Sequence, residues 1–243
     1  MTLPLSAPVK CSECPIRHRA VCARCNFDEL TLLESMKTYR SYSAGEAILW
    51  RGEPLTFVAS VVKGVASLSK TLEDGRTQMV GLLLPSDFLG RPGRSEIEFD
   101  VTATSDVTLC CFDRVPFERL VDTTPRVAQR LMELALDELD AARDWMLLLG
   151  RKTAREKIAT FIEMLVRRSR SDASNAQDQI NLPMTRDQIA NYLGLTLETV
   201  SRQFSSLKKD GVIDFNDRRT FRVVDLAALH EATGDDADGG MLF

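Results

Sequence analysis

The chain has 243 residues, 44% of them hydrophobic and 27% charged. That composition buries a real core in one large or two ordinary domains and excludes a short peptide, a fibre or wholesale disorder. The net charge of −4 gives the whole chain no attraction to nucleic acid, and the longest apolar runs, residues 79–84 and 145–149, fall far short of the roughly 18 residues that cross a bilayer.

No basic segment followed by an apolar stretch opens the sequence, so a cytoplasmic location is expected. Six cysteines in such a compartment point to metal binding or redox chemistry rather than disulfides. Cys11, Cys14, Cys22 and Cys25 form Cys-x2-Cys-x7-Cys-x2-Cys, and Cys110-Cys111 ends a predicted strand far along the chain. Thiolates grouped in this way bind soft metals, as a zinc site or as an iron–sulfur cluster. The four N-terminal cysteines suffice for a self-contained zinc site. The gap between the two pairs is short for a zinc ribbon, however, and that site leaves Cys110 and Cys111 no role beyond filling the core.

From Tyr39 to Phe117 the sequence reads as short strands at Ala47–Trp50, Phe57–Val62, Val65–Leu68, Gln78–Leu82 and Val107–Cys110, with Gly45, Gly52, Gly64, Gly75 and Gly90 between or at the ends of them. Short strands with frequent glycine turns predict an antiparallel barrel or jelly roll. At Thr124-Pro125 a cap residue followed by proline opens a helix. Its residues Ala128, Met132, Ala135, Leu139, Ala142, Met146 and Leu149 recur at steps of four and three, the spacing of a coiled-coil seam. The seam either packs on the chain's own barrel or pairs two chains while Leu131, Leu134 and Trp145 on a neighbouring face meet the barrel. Its three alanines bury little area, so a dimer built on it is marginal and open to control. Lys152 to Arg168 continues as an amphipathic helix, and Ser169 to Gln179 reads as a polar surface loop.

Charge is unevenly spread. Residues 1–150 carry 17 basic and 21 acidic groups, residues 151–222 carry 14 and 9, and residues 223–243 carry none and 5. A locally basic stretch in an acidic chain is the footprint of a nucleic-acid-binding module. Within it, Thr185 and Gln188 make a capping box for one helix, Gly194 allows a sharp turn, and Thr196 caps a second helix. Leu197, Val200, Phe204 and Leu207 share one face of that second helix, leaving Glu198, Ser201, Arg202 and Ser205 off it. Two helices joined by a short turn, the second presenting polar groups from its first turns, match a helix-turn-helix whose second helix enters the major groove. Arginine suits guanine, glutamate suits cytosine and serine adapts to either. The alternative for Glu198 and Arg202 is an ion pair on a solvated face. Beyond Gly211, Val212–Phe215 and Thr220–Val223 read as a hairpin with Arg218 and Arg219 in its turn, a wing over the phosphate backbone.

The order of glycine-punctuated β-domain, long helix and winged helix-turn-helix resembles the CRP/FNR regulators over nearly the whole chain, and Leu195-Thr196-Leu197-Glu198-Thr199-Val200-Ser201-Arg202 closely resembles the recognition helix of the FNR branch. The resemblance implies an α+β architecture. It places a cysteine-rich sensor loop and first helix at 1–30, an antiparallel β-roll (cupin-like jelly roll) at 31–122, a dimerisation helix at 123–150 and a winged helix-turn-helix at 151–243. It implies that Glu198, Ser201 and Arg202 contact the half-sites of a TTGAT-type palindrome, one per subunit of a homodimer, and that the loop around Gly75 touches RNA polymerase. It also implies a 4Fe-4S cluster held by three N-terminal cysteines and one from the β-domain. Cys11, Cys14, Cys22 and Cys110 are the best matches, with Cys25 in reserve and Cys111 as the alternative on the strand.

The expectation is an oxygen-responsive activator that holds its promoter while the cluster is intact and shifts toward monomer once oxygen has destroyed it. Some oxygen-responsive members carry an acidic residue where Ala142 stands, which implies less complete dissociation here. Cyclic-AMP control is not expected, because the segment from Asp87 to Pro92 lacks the glutamate and the arginine-serine pair of the nucleotide-phosphate cassette. A zinc-stabilised structural protein is the alternative. No enzyme is expected: His18 and His230 are the only histidines, and no nucleophile–base arrangement is visible.

Overall fold

The computed structural model describes residues 10–170 and 179–235. These sort into two compact units. The first runs to Lys70 and resumes over Leu82–Leu136, and the second holds Thr71–Gly81 and continues from Asp137.

The first unit opens on a 3-10 turn, Cys11–Glu13, and helix α1, Phe27–Met36. Asn26 accepts from the Glu29 N–H, and the Glu29 side chain accepts from the Asn26 N–H, a reciprocal cap that fixes where α1 begins. Eight strands follow: β1 Thr38–Tyr42, β2 Ala47–Leu49, β3 Phe57–Lys63, β4 Ala66–Thr71, β5 Thr77–Leu83, β6 Phe88–Leu89, β7 Asp100–Ala103 and β8 Val107–Asp113. They form two four-stranded sheets, ordered β1-β8-β3-β6 and β2-β7-β4-β5, in a jelly-roll-like arrangement of antiparallel pairs. Gly64 turns β3 into β4 with φ +82, and a Cβ there runs into the Asp106 carbonyl, so only glycine fits.

Strand β8 lies between β1 and β3, with Cys110 opposite Tyr39 on one side and Ser60 on the other. Val107 to Phe112 are all buried. Because side chains alternate along a strand, Cys110 and Cys111 point to opposite faces of the sheet. Helix α2, Arg114–Thr123, seats Phe117 against Phe112 and Phe88.

Helix α3, Pro125–Arg151, runs from the first unit into the second. Leu131 and Leu134 pack on the β-roll core. Trp145 does not join them: its indole stacks on Tyr192 at 3.9 Å between ring centres. The second unit adds α4 Ala154–Arg170, β9 Gln179–Asn181, α5 Arg186–Leu193, α6 Leu197–Lys209, β10 Ile213–Phe215, β11 Thr220–Val223 and α7 Leu226–Thr233. The predicted loop at 169–179 is thus helical at its start and strand at its end, and residues 171–178 lie outside the described residues. The wing is three-stranded, ordered β10-β11-β9. Lys152 and Asp235, both nearly buried, pair at 2.7 Å beside Thr160, a closure that the sequence pattern does not announce. Among the described residues no helix is long and apolar enough to cross a membrane.

Candidate DNA-binding surface and cysteine centre

Helix α5 starts where its cap says it must. The Thr185 side chain accepts from the Gln188 N–H at 3.2 Å, and the Gln188 side chain accepts from the Thr185 N–H at 2.8 Å. Gly194, left-handed at φ 62, ends the helix and turns the chain into Thr196, whose hydroxyl accepts from the Thr199 N–H and caps α6. Val200, Phe204 and Leu207 are buried against the unit, but Leu197 is 43% exposed. It sits in the first turn of α6, past the edge of the packed face. Glu198 and Arg202 are exposed, and Ser201 is half-buried between them. The Arg202 guanidinium rests against Thr199 Oγ1 at 3.5 Å, at the far limit of hydrogen-bond reach and therefore cheap to redirect.

The wing turn is tied by Asp217, which accepts from the N–H groups of Arg219 and Thr220, both at 2.7 Å. These bonds hold the Asp217 carboxyl below its usual range and leave Arg218 and Arg219 in solvent. Between wing and α6 lies a cavity of about 430 Å³ lined by Arg186, Phe204, Ser205, Lys208, Phe215, Asp217 and Arg218. Arg186 lies over Phe204 at 4.4 Å and Phe215 at 5.3 Å. Its Nη1 is buried with no hydrogen-bond partner. Sequence reading missed this residue, whose sole signal is an arginine directly after the cap.

Apart from Ala128 and Leu149, the seam residues of α3 lie open: Met132, Ala135, Leu139, Ala142 and Met146 are all exposed. Leu136 and Leu147 beside them are exposed too.

The cysteines divide into groups. Burial first, and then repulsion from Cys11, Cys14 and Cys22, pushes the Cys110 thiol far above its ordinary range. Burial also raises Cys14, which Cys11 raises further, and takes Cys22 to about 11, with Arg17 opposing and Cys14 and Cys11 adding. These four thiols therefore share one electrostatic neighbourhood. Burial takes Cys25 to about 11 as well, but the charged groups acting on it most are Cys22, Glu29, Arg17 and Arg126. Those acting on Cys111 are Arg40 and Asp113, in keeping with its place on the opposite face of β8. Among the described residues no three His, Cys, Asp or Glu side chains converge tightly enough to hold a single metal ion.

The loop carrying these thiols is pinned at several points. The Cys11 N–H donates to Glu34 Oε2 at 3.2 Å, and Lys37 Nζ donates to Cys11 Sγ at 3.4 Å. Arg17 donates to the carbonyl oxygens of Ala23 and Cys25 at 2.8 and 2.9 Å. The start of α3 grips the same loop. Arg130 donates to the Arg19 carbonyl at 2.6 Å and Arg24 pairs with Glu133 at 2.6 Å, while Arg126 ties α3 to α1 by pairing with Glu29 at 3.2 Å.

A helix-turn-helix with an exposed polar recognition face and a wing, joined in one chain to a jelly-roll-like domain, defines a DNA-binding transcription regulator. The family of Crp-like helix-turn-helix domains matches residues 125–232, and that of cyclic nucleotide-binding domains matches residues 39–124. The chain is 59% identical to the transcriptional activator protein FnrL of Cereibacter sphaeroides, over 96% of this chain and 95% of that protein. It is 43% identical to the nitrogen fixation regulation protein FixK of Bradyrhizobium diazoefficiens, over 84% of this chain and 85% of that one. The solved structure of FixK2 from Bradyrhizobium japonicum, 36% identical, superposes with a TM-score of 0.75 and covers 83% of this chain and 99% of its own. The chain belongs to the CRP/FNR family of transcription regulators.

Proposed function

We propose that this protein is an oxygen-responsive transcription activator that binds a TTGAT-type palindrome as a homodimer while Cys11, Cys14, Cys22 and Cys110 hold a 4Fe-4S cluster. The observation that carries this reading is the burial of Cys11 on the leading loop and of Cys110 on β8, with Cys11, Cys14 and Cys22 all acting to raise the Cys110 thiol. A cluster spreads its four thiolates over four irons, and Cys11, Cys14, Cys22 and Cys110 supply the four cysteine sulfurs that such a group takes. When bound, the cluster supplies a redox-active centre sensitive to oxygen.

The chain's own residues supply the rest. The raised thiols are protonated at neutral pH, so loading must release protons, and the loop is held by metal only while its sulfurs are thiolates. Arg130 and Arg24 couple the loop to the first turns of α3, and Arg126 couples α3 to the α1 that follows the loop. A loop that relaxes removes those ties from the helix that carries the open seam. Met132, Leu139 and Met146 pair with a second copy, and the alanines between them keep the gain small enough to be reversed. Each subunit reads one half-site through Glu198, Ser201 and Arg202, and a monomer loses most of the combined affinity. Arg218 and Arg219 of the wing meet phosphates, and the loop at Gly75 faces RNA polymerase in the bound complex. Likeness to the activator FnrL supports activation.

The test is fluorescence anisotropy of a labelled TTGAT palindrome titrated with protein purified without oxygen, then with the same sample after exposure to air. The anaerobic protein binds about 100-fold more tightly, the low end of what linking two half-sites contributes. Equal affinity in both states contradicts the reading.

A further inference from the structure

Lys37 follows the last turn of α1. A lysine there and Glu34 three residues earlier form the kind of pair that ordinarily sits in solvent and contributes little. This pair is asymmetric instead: the Lys37 side chain is 5% exposed and that of Glu34 is 40% exposed, with 3.8 Å between Nζ and Oε1. The ammonium has turned away from water and toward sulfur, with Nζ 3.4 Å from Cys11 Sγ and 5.6 Å from the centre of the Tyr39 ring. Glu34 meanwhile accepts from the Cys11 backbone N–H. The buried ammonium is thus shared between the Glu34 carboxylate and the Cys11 sulfur.

We infer that Lys37 is the tuning residue of the cysteine centre: its buried ammonium lies against Cys11, donates a hydrogen bond to the Cys11 sulfur, and is paired with Glu34. It is a positioning and tuning residue rather than a ligand. The inference rests on the cluster reading above. It adds that the centre's potential and grip on iron are set by one lysine, because hydrogen bonds to sulfur and local charge are what the protein uses to tune such a group.

The experiment uses the full chain purified without oxygen as wild type, Lys37→Gln, Lys37→Arg and Glu34→Gln. Iron and sulfide per chain, the rate of iron loss to a chelator and the midpoint potential are measured for each. Lys37→Gln loses iron roughly 10-fold faster, the low end for a lost outer-shell partner, and its potential shifts to more negative values. Lys37→Arg restores both. Glu34→Gln shifts the potential the opposite way, which a merely structural role does not produce, and it keeps the test alive if Lys37→Gln fails to fold. Wild type that carries iron and sulfide beside a Lys37→Gln protein of unchanged potential and iron loss overturns the inference and leaves the cluster reading intact. So do shifts of the same sign in Lys37→Gln and Glu34→Gln. Wild type without iron or sulfide overturns both.

Discussion

Thr185, Gln188, Gly194 and Thr196 fix the DNA-reading helices within about a dozen residues of sequence, whereas the proposed cysteine centre draws on Cys110, almost a hundred residues along the chain from Cys11, Cys14 and Cys22. The first region closes its own backbone hydrogen bonds and buries its own apolar face, so its shape owes nothing to a bound group. The second is a set of thiols kept in one neighbourhood by a β-roll, an N-terminal loop and a few ion pairs. A region with local determinants makes a fixed reader, and on the proposed reading the region assembled from distant parts holds a state that can be lost.

That contrast can be sharpened by changing one region and watching the other. The larger effect belongs to Arg202→Ala, which removes roughly 1–3 kcal/mol of discrimination at one position of each half-site. Competition with a panel of singly altered palindromes measures it. Iron and sulfide content stay at the wild-type level, and an unchanged base preference counts against Arg202 as a base reader. A smaller effect follows Thr185→Ala, which deletes the cap of α5 and lowers the stability of its unit by about 1 kcal/mol. Chemical denaturation followed by circular dichroism measures this, with and without bound iron. Iron content that falls while stability does not would break the separation of the two regions.

The same contrast explains what the sequence made legible. The capping box at Thr185, the glycine turn at Gly194 and the buried face at Val200, Phe204 and Leu207 are all local, and the structure has them where the pattern puts them. The jelly-roll-like sheets and the open seam of α3 were legible from strand length, glycine spacing and apolar repeats. Trp145 was assigned to the β-roll because helical spacing gives a face but not the partner that meets it, and Tyr192 lies 47 positions further on.

Strand β9 is three residues long and owes its existence to pairing with β11. Helix α2 carries Pro116 in its first turn, where proline is tolerated but reads as a break. Helix α7 is short and was overlooked, although Asp225 at its start and Gly234 at its end are ordinary cap signals. For the cysteines the spacing raises metal chemistry as an expectation, and the assignment of ligands stays a proposal. Which thiols share a neighbourhood depends on the fold of β8, and neither Lys37 nor Arg186 stands out until burial shows which way each side chain turns.

On the proposed reading, thiols from the leading loop and from β8 serve one inorganic centre. Iron and acid-labile sulfide per chain, assayed on protein prepared without oxygen as wild type, Cys110→Ser and Cys25→Ser, test it most directly. The account predicts about four of each in wild type and in Cys25→Ser, as a cubane cluster requires, and close to none in Cys110→Ser. One zinc per chain without sulfide, or a Cys110→Ser protein that keeps its iron, would contradict it.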